Sequence, residues 1–387
     1  MSFLSHLVCS SCGQEYDAQK VQTYCFSCNA PLLAQYDLVS ARQKLDRDEI
    51  THNRLRGMWR WHELLPVVQP ENMLYLGEGD TPLIHVERLG YELGLHQLYV
   101  KDESLNPTGT FKARGLSAAI SKAKELGISK VIIPTAGNAG GAMAAYAAHG
   151  KMQALIYMPK DTPMANIEES KFYGAEVVLI DGLISDAAKL VRKKISANDW
   201  FDLSTFKEPY RCEGKKIMGY ELAESFNWEL PDVIVYPTGG GTGLVGMWKA
   251  FEEMEALGWM RRNKRPRMVA VQADGCAPVV KAFTEGKDTC EFWEGARTKA
   301  SGLRVPRSFA DRIILHDLRA SLGTSVAVSD AAIDISQKRL ASLEGIFPAP
   351  EGAATLAALE ILVREKWVQS EERIVLFNTG TGLKYLV

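Results

Sequence analysis

Lys112 stands where a turn meets a helix, in the run Asn106-Pro107-Thr108-Gly109-Thr110-Phe111-Lys112-Ala113-Arg114-Gly115. An amine so placed is suited to covalent chemistry with an aldehyde. Pro107 and Gly109 supply turn geometry, Thr108 or Thr110 can cap the helix, and an Ala- and Lys-rich amphipathic segment follows to about residue 126. Such a lysine has limited freedom and sits beside helix-terminal N–H groups, as a Schiff-base lysine requires. A lysine in a first helical turn is also an ordinary surface residue. Three further motifs decide between the two readings.

Pro134-Thr135-Ala136-Gly137-Asn138-Ala139-Gly140-Gly141 follows an apolar run and opens a small-residue helix. Its glycines allow close backbone approach, its free N–H donors suit a carboxylate, and Asn138 can donate to a ring oxygen. Tight packing alone would also explain a glycine-rich helix start. Pro237-Thr238-Gly239-Gly240-Gly241-Thr242-Gly243 again lies between an apolar run and a helix. Consecutive glycines there make a nest of backbone N–H groups for a phosphate, with the Thr242 hydroxyl added. The chain lacks both the Gly-Lys-Ser/Thr ending of a nucleotide loop and an acidic residue at the distance expected for a ribose, so a cofactor monophosphate fits better than NAD or ATP. Asn378-Thr379-Gly380-Thr381-Gly382-Leu383-Lys384 closes the series. Thr379 offers a neutral hydroxyl to a pyridine nitrogen, which favours elimination and replacement at the β or γ carbon over deep carbanion delocalisation. A lysine, a ring-oxygen donor, a phosphate nest and a neutral partner for a pyridine nitrogen together describe a site for pyridoxal 5'-phosphate (PLP).

A separate chemistry is written at the start of the chain. Cys9-x2-Cys12 and Cys25-x2-Cys28 are spaced so that two tight knuckles bring four thiolates around one zinc ion. Four cysteines close the coordination sphere, so the metal is expected to be structural, supplying folding energy that so short a segment cannot draw from apolar burial. Cys212, Cys276 and Cys290 have no partner spacing and read as plain thiols.

The elements that must position these residues follow from pattern. With 387 residues, 46% hydrophobic and 24% charged, the chain is long enough for two ordinary domains and a sizeable core. Its 45 basic and 47 acidic residues give a net charge of -2, which offers no reason to expect nucleic acid or a membrane surface as partner and leaves small molecules. The first residues lack a signal-peptide pattern and no window reaches the length of a membrane span, so a cytoplasmic location is expected. Strands are predicted at 97–101, 131–134, 154–158, 177–180, 233–237, 268–272 and 374–378, and helices at 114–126, 140–149, 165–173, 186–197, 215–226, 243–257 and 352–365. Residues 39–73, with Trp59, Trp61 and His62, read as a connecting helix and packed extension. Alternating strands and helices imply an α/β fold with open, mostly parallel sheets, where ligands bind beyond the carboxyl ends of strands.

The order of the four motifs, over residues 76–386, resembles the fold-type II PLP enzymes of the tryptophan synthase beta-like superfamily, and among them the threonine synthases; residues 1–38 are similar to the zinc-ribbon-like extension some of those carry. Glu351-Gly352-Ala353-Ala354 and Gly302-Leu303-Arg304-Val305-Pro306 fit the same family. The resemblance implies that Lys112 is the catalytic Schiff-base lysine, Asn138 contacts the 3-oxygen of PLP, the loop Gly239, Gly240, Gly241, Thr242, Gly243 holds its phosphate, Thr379 meets the pyridine nitrogen, and Thr135, Ala136 and Gly137 bind substrate. It further implies a lyase of threonine biosynthesis that converts O-phosphohomoserine and water to threonine and phosphate by γ-elimination and β-addition. The family pattern has Asp where this chain has Ala113 and commonly Ser where it has Ala136, and Thr-Phe-Lys-Ala-Arg-Gly resembles threonine and serine ammonia-lyases nearly as well. Ammonia-lyase or other β-replacement chemistry, such as cysteate formation, is therefore the alternative. The expected organisation is a small domain, 115–206, inserted in a large one, 39–114 and 207–387. Homo-oligomerisation is compatible with the resemblance. Arg114, Lys160 and Lys171 are weak candidates for a substrate-phosphate site and read as surface charges.

Overall fold

Strands β1 (Leu4–Cys9), β2 (Glu15–Tyr16) and β3 (Leu32–Tyr36) form an antiparallel ribbon in the order β2-β1-β3. The rest of the described chain is built on two sheets, whose strands are β4 (Leu83–His85), β5 (Gln97–Asp102), β6 (Lys130–Pro134), β7 (Gln153–Pro159), β8 (Glu176–Ile180), β9 (Phe201–Asp202), β10 (Val233–Pro237), β11 (Arg267–Ala273), β12 (Thr324–Val328) and β13 (Arg373–Asn378). The computed structural model describes residues 1–197, 199–262 and 264–386; Asn198, Asn263 and Val387, which fall in the expected domain ranges, lie outside the described residues.

The larger sheet runs β12-β11-β10-β13-β5-β4, parallel except for the antiparallel edge strand β4. The smaller runs β8-β7-β6-β9, all parallel. Central strands buried on both faces must be apolar throughout, and β10 is, with all of Val-Ile-Val-Tyr-Pro buried. The predicted strands and helices all form, several beginning two to five residues earlier than the pattern indicated. β12 and its flanking helices Asp311–Ala320 and Asp330–Glu344 were not anticipated. β12 is an edge strand of mixed burial, so it lacks the continuous apolar signal of its neighbours.

Helix Lys112–Glu125 joins the two halves. Ala113, Leu116, Ala119 and Ile120 pack with Ile133 and Ile156 of the smaller sheet and with Met143 of helix Asn138–His149, and Ala118 packs with Ile217 and Tyr236 on the other side. The cluster on the smaller sheet also takes in Leu7, Leu32, Ala34 and Tyr36, so the ribbon shares that core instead of hanging free. The extension over 39–73 packs as expected. Trp61, fully buried, stacks on Tyr220 at 5.1 Å between ring centroids and meets Trp228 edge-on.

Arg114 is not a surface charge. It is fully buried, with Nε donating to Glu103 at 2.6 Å and its Nη atoms to both Glu221 oxygens at 2.6 and 2.7 Å, while Lys101 Nζ reaches the same Glu221 at 2.8 Å. Burial alone would raise the Glu221 carboxyl, but the Arg114 and Lys101 charges hold it far below the usual carboxylate range. With its donors consumed in this way, Arg114 has none for a substrate. Lys160 and Lys171 are exposed as expected, paired with Asp181 and Glu168 at 2.8 Å each.

Candidate active site

Beyond the end of β13 the chain zips onto the turn that carries Lys112. The Phe111 N–H donates to the Thr379 carbonyl at 3.1 Å and the Thr381 N–H to the Gly109 carbonyl at 2.9 Å. Motifs far apart in sequence, which follow the neighbouring parallel strands β5 and β13, are thereby held side by side. The Lys112 N–H is satisfied by Thr110 Oγ1 at 3.3 Å, and Thr108 plays no such part, its hydroxyl being buried without a partner. The Lys112 carbonyl and that of Phe111 are gripped from behind by Lys215 Nζ, at 3.3 and 2.8 Å.

Lys112 Nζ lies 3.9 Å from the centroid of the Phe111 ring. Burial, followed by the nearby Arg211 charge, pushes its amine down to about 7, with Glu351 pulling weakly the other way. A large part of such an amine is neutral, and so nucleophilic, near neutral pH.

A cavity of about 290 Å³ opens beside it. Its walls include all the residues expected from sequence: Lys112, the run Thr135, Ala136, Gly137 and Asn138, the loop from Gly239 to Gly243, and Thr379. Ala113 is absent from the walls and fully buried among apolar neighbours, so the departure from the family pattern there does not touch the site, whereas Ala136 does face the cavity.

The glycine loop is built for close approach. Gly241 caps helix Thr242–Leu257 with φ +84°, a left-handed backbone that disfavours any side chain, and no side chain caps the helix, leaving its first N–H groups for a ligand. A Cβ on Gly239 would run into the Gly302 carbonyl oxygen, and one on Gly240 would lie 2.6 Å from Thr205 Cγ2. Helix Asn138–His149 likewise starts at Gly137 without a side-chain cap. Asn138 Nδ2 donates to the Tyr385 hydroxyl at 3.1 Å. Four buried polar atoms of the cavity walls have no partner, Asn138 Oδ1, Arg211 Nε, Tyr236 OH and Glu351 Oε2. Unsatisfied buried groups beside an uncapped glycine cradle are what a bound polar, phosphorylated ligand would complete, and the residues present fit PLP.

Sequence reasoning missed the cavity's cationic wall. Arg211, 2% exposed, donates through Nη1 to the Leu203 carbonyl at 2.6 Å while its Nε has no partner. The Glu208 carboxylate, raised to about 7 by burial, caps helix Tyr210–Ser225 by accepting the N–H groups of Tyr210 and Arg211. The predicted helix started at residue 215, which left Arg211 in a loop, and the two-residue β9 before it is too short to show periodicity. The available signal was Ser204-Thr205, a polar pair after a short apolar run, as in the other motif loops.

The four cysteines of the ribbon lie together, their Sγ atoms within 4.8 Å of one another. Neighbouring pairs are 3.2 to 3.8 Å apart, close to the roughly 3.8 Å separation that four Zn–S bonds of about 2.3 Å impose in a tetrahedron. The donor set fits zinc. Cys212, Cys276 and Cys290 are buried and isolated from it, their thiols pushed up by burial, those of Cys276 and Cys290 to about 11 and about 12.

Fold and site together define a PLP-dependent α/β enzyme. The family described as pyridoxal-phosphate dependent enzyme matches residues 74–380, and the chain belongs to it. More narrowly, the chain is 33% identical to a threonine synthase of Methanocaldococcus jannaschii over 377 residues, which is 97% of this chain and 92% of that one. It is 34% identical to a threonine synthase of Methanosarcina acetivorans over 380 residues, 98% and 92% of the two chains. Among solved structures, maize serine racemase superposes with a TM-score of 0.67 at 22% identity, covering 78% of this chain and 88% of that one, and Escherichia coli diaminopropionate ammonia lyase with 0.67 at 19%, covering 79% and 85%. At that identity the likeness is one of fold.

Proposed function

We infer that this protein is a threonine synthase, a lyase that converts O-phosphohomoserine and water to threonine and phosphate. The observation that carries the reading is the convergence, on one cavity, of Lys112, the uncapped glycine cradle and a buried arginine whose Nε is unpaired, in a chain that aligns with threonine synthases along almost its whole length. Bound PLP supplies an electron sink for negative charge developed beside the substrate amino group. Lys112 Nζ would move protons at the substrate Cα and Cβ, and its lowered proton affinity suits it to work as base and acid near neutral pH. The Gly239 to Gly243 loop would hold the cofactor phosphate at the helix N-terminus, Asn138 would donate to the ring 3-oxygen, and Thr379 would give the pyridine nitrogen an uncharged partner. Thr135, Ala136 and Gly137 receive the substrate carboxylate at the N-terminus of helix Asn138–His149. Arg211 faces the substrate phosphate. Phosphate leaves the γ carbon and water adds at Cβ.

The same reading takes residues 115–206 as a small domain closing on the large one (39–114 and 207–387) to exclude water, and residues 1–38 as a structural zinc ribbon held by Cys9, Cys12, Cys25 and Cys28. No helix among the described residues is long and apolar enough to cross a membrane, and a cytoplasmic location, an amino-acid substrate as the only partner class and pairing into a homo-oligomer fit this account. Ammonia-lyase chemistry is less well supported, since solved threonine deaminases and ammonia lyases are only 18–23% identical to the chain, a likeness of fold. Incubating the PLP-loaded protein with O-phosphohomoserine, threonine, serine and phosphoserine, and assaying phosphate, ammonia and amino-acid products, tests the assignment. Phosphate with threonine from phosphohomoserine supports it. Ammonia and a keto acid, with phosphohomoserine inert, would refute it.

A further inference from the structure

Lys207 sits in the wall between two cavities. It lines the cofactor cavity and also a second cleft between the ribbon and the body, whose lining includes Ser11 and Asn29 on one side and Arg192, Arg307 and Phe309 on the other. Its Nζ is held between two rings, 3.4 Å from the centroid of Phe309 and 4.1 Å from that of Tyr24, which belongs to the ribbon; the rings themselves meet edge-on at 5.7 Å. Among the described residues, no carboxylate lies within ion-pair distance of it. Its nearest acidic neighbour, Asp202, is hydrogen-bonded by Ser204 and raised by its own burial. Burial in turn pushes the Lys207 amine down to about 8.

The backbone has been spent on placing this side chain. Phe206, buried and bulky, takes φ +60°, a left-handed conformation costly for such a residue, and the turn is closed by the Lys207 N–H donating to the Ser204 carbonyl at 3.0 Å. Tyr24 is fixed from the other side, since it bridges to Pro31 and is followed by Cys25, whose N–H donates to the Ala30 carbonyl at 2.9 Å in the knuckle. Among the described residues neither Lys207 nor the buried Arg211 of the same cavity wall forms an ion pair, the Asp202 and Glu208 charges acting only from further off, and Arg211 Nε has no partner, so a dianion would give both cations the direct contact they lack. The aromatic clamp keeps the ammonium charged and aimed while the site waits.

We propose that the cysteine ribbon completes the substrate site: Tyr24 and Phe309 hold the Lys207 ammonium at the cavity mouth, where it receives the phosphate of a phosphorylated amino-acid substrate. The proposal rests on the threonine synthase reading for the identity of that substrate, but not for the existence of the anion site. Lys207 is then a specificity-determining residue and Tyr24 a positioning residue acting through it.

The test uses PLP-saturated protein, so that the cofactor's own phosphate site is filled. Inorganic phosphate is titrated by calorimetry, and steady-state kinetics are run with O-phosphohomoserine, for the wild type, K207M, K207Q, Y24L and Y24F. Both neutral Lys207 variants are expected to keep the cofactor absorbance spectrum, to weaken phosphate binding by about tenfold or more, and to raise KM by a similar factor, with the loss falling on KM and not on kcat. Y24L loses affinity in the same direction, and Y24F, which keeps the ring, restores it. Phosphate affinity unchanged in K207M and K207Q with the spectrum intact, or no phosphate binding by the wild type, overturns the proposal. If phosphohomoserine is not turned over, the synthase reading falls while the phosphate titration still decides the role of Lys207.

Discussion

Lys112 is poised by its surroundings before any ligand arrives. Its amine is lowered from the ordinary 10.5 to about 7 by burial and by Arg211, so the neutral fraction rises as pH rises through about 7 and then saturates. The rate at which apoprotein captures PLP should therefore climb to about pH 8 and level off. An unperturbed lysine would keep gaining about tenfold per pH unit well beyond that, and a stopped-flow pH series distinguishes the two. K112A should lose turnover by at least about 1000-fold and lose the lysine-linked cofactor absorbance while keeping its circular dichroism spectrum. G239A should weaken PLP binding by about tenfold or more, because its methyl group meets the Gly302 carbonyl, a backbone atom that cannot swing aside, as fluorescence titration would show. At this scale the sequence was informative wherever a residue type is itself unusual: a lysine in a glycine-proline turn, three consecutive glycines, paired cysteines. Arg211 and Lys207 carried no such mark. Their meaning lies in the unpaired Arg211 Nε and in the two rings that enclose the Lys207 ammonium, which only the folded arrangement reveals.

Helix Lys112–Glu125 is the element on which the site depends, and its anchor is the buried Arg114, tied to Glu103 just after β5 and to Glu221 on helix Tyr210–Ser225. Truncating the guanidinium leaves two buried carboxylates with only Lys101 near. R114M should cost about 3–5 kcal/mol of stability, read as a fall in the urea midpoint, whereas a surface arginine would cost almost nothing. Pattern had placed Arg114 at the surface because arginine usually is there, and its neighbours on the helix, Ala113 and Gly115, gave no sign of a charged core. The parallel strands were legible for the opposite reason. A strand buried on both faces has to be apolar along its buried length, as β10 is throughout and β13 is from Ile374 to Phe377, while the edge strand β12 does not and passed unseen.

Across the whole molecule, the ribbon is built into the catalytic body, sharing a core with the smaller sheet and setting Tyr24 against the ammonium of Lys207, which lines the cavity. Chelating the zinc proposed for its four cysteines should lower the thermal midpoint and weaken phosphate affinity, yet leave the cofactor spectrum unaltered at short times. Immediate loss of that spectrum would instead mean that the metal supports the cofactor site. The central claim concerns which bonds break and form, and the most direct measurement is turnover of O-phosphohomoserine by the PLP-loaded protein in water enriched in oxygen-18. Elimination at the γ carbon followed by addition of water at Cβ predicts threonine carrying one heavy oxygen in its hydroxyl, released in equal amount with unlabelled phosphate. Labelled phosphate accompanied by homoserine, or ammonia accompanied by a keto acid, would contradict it.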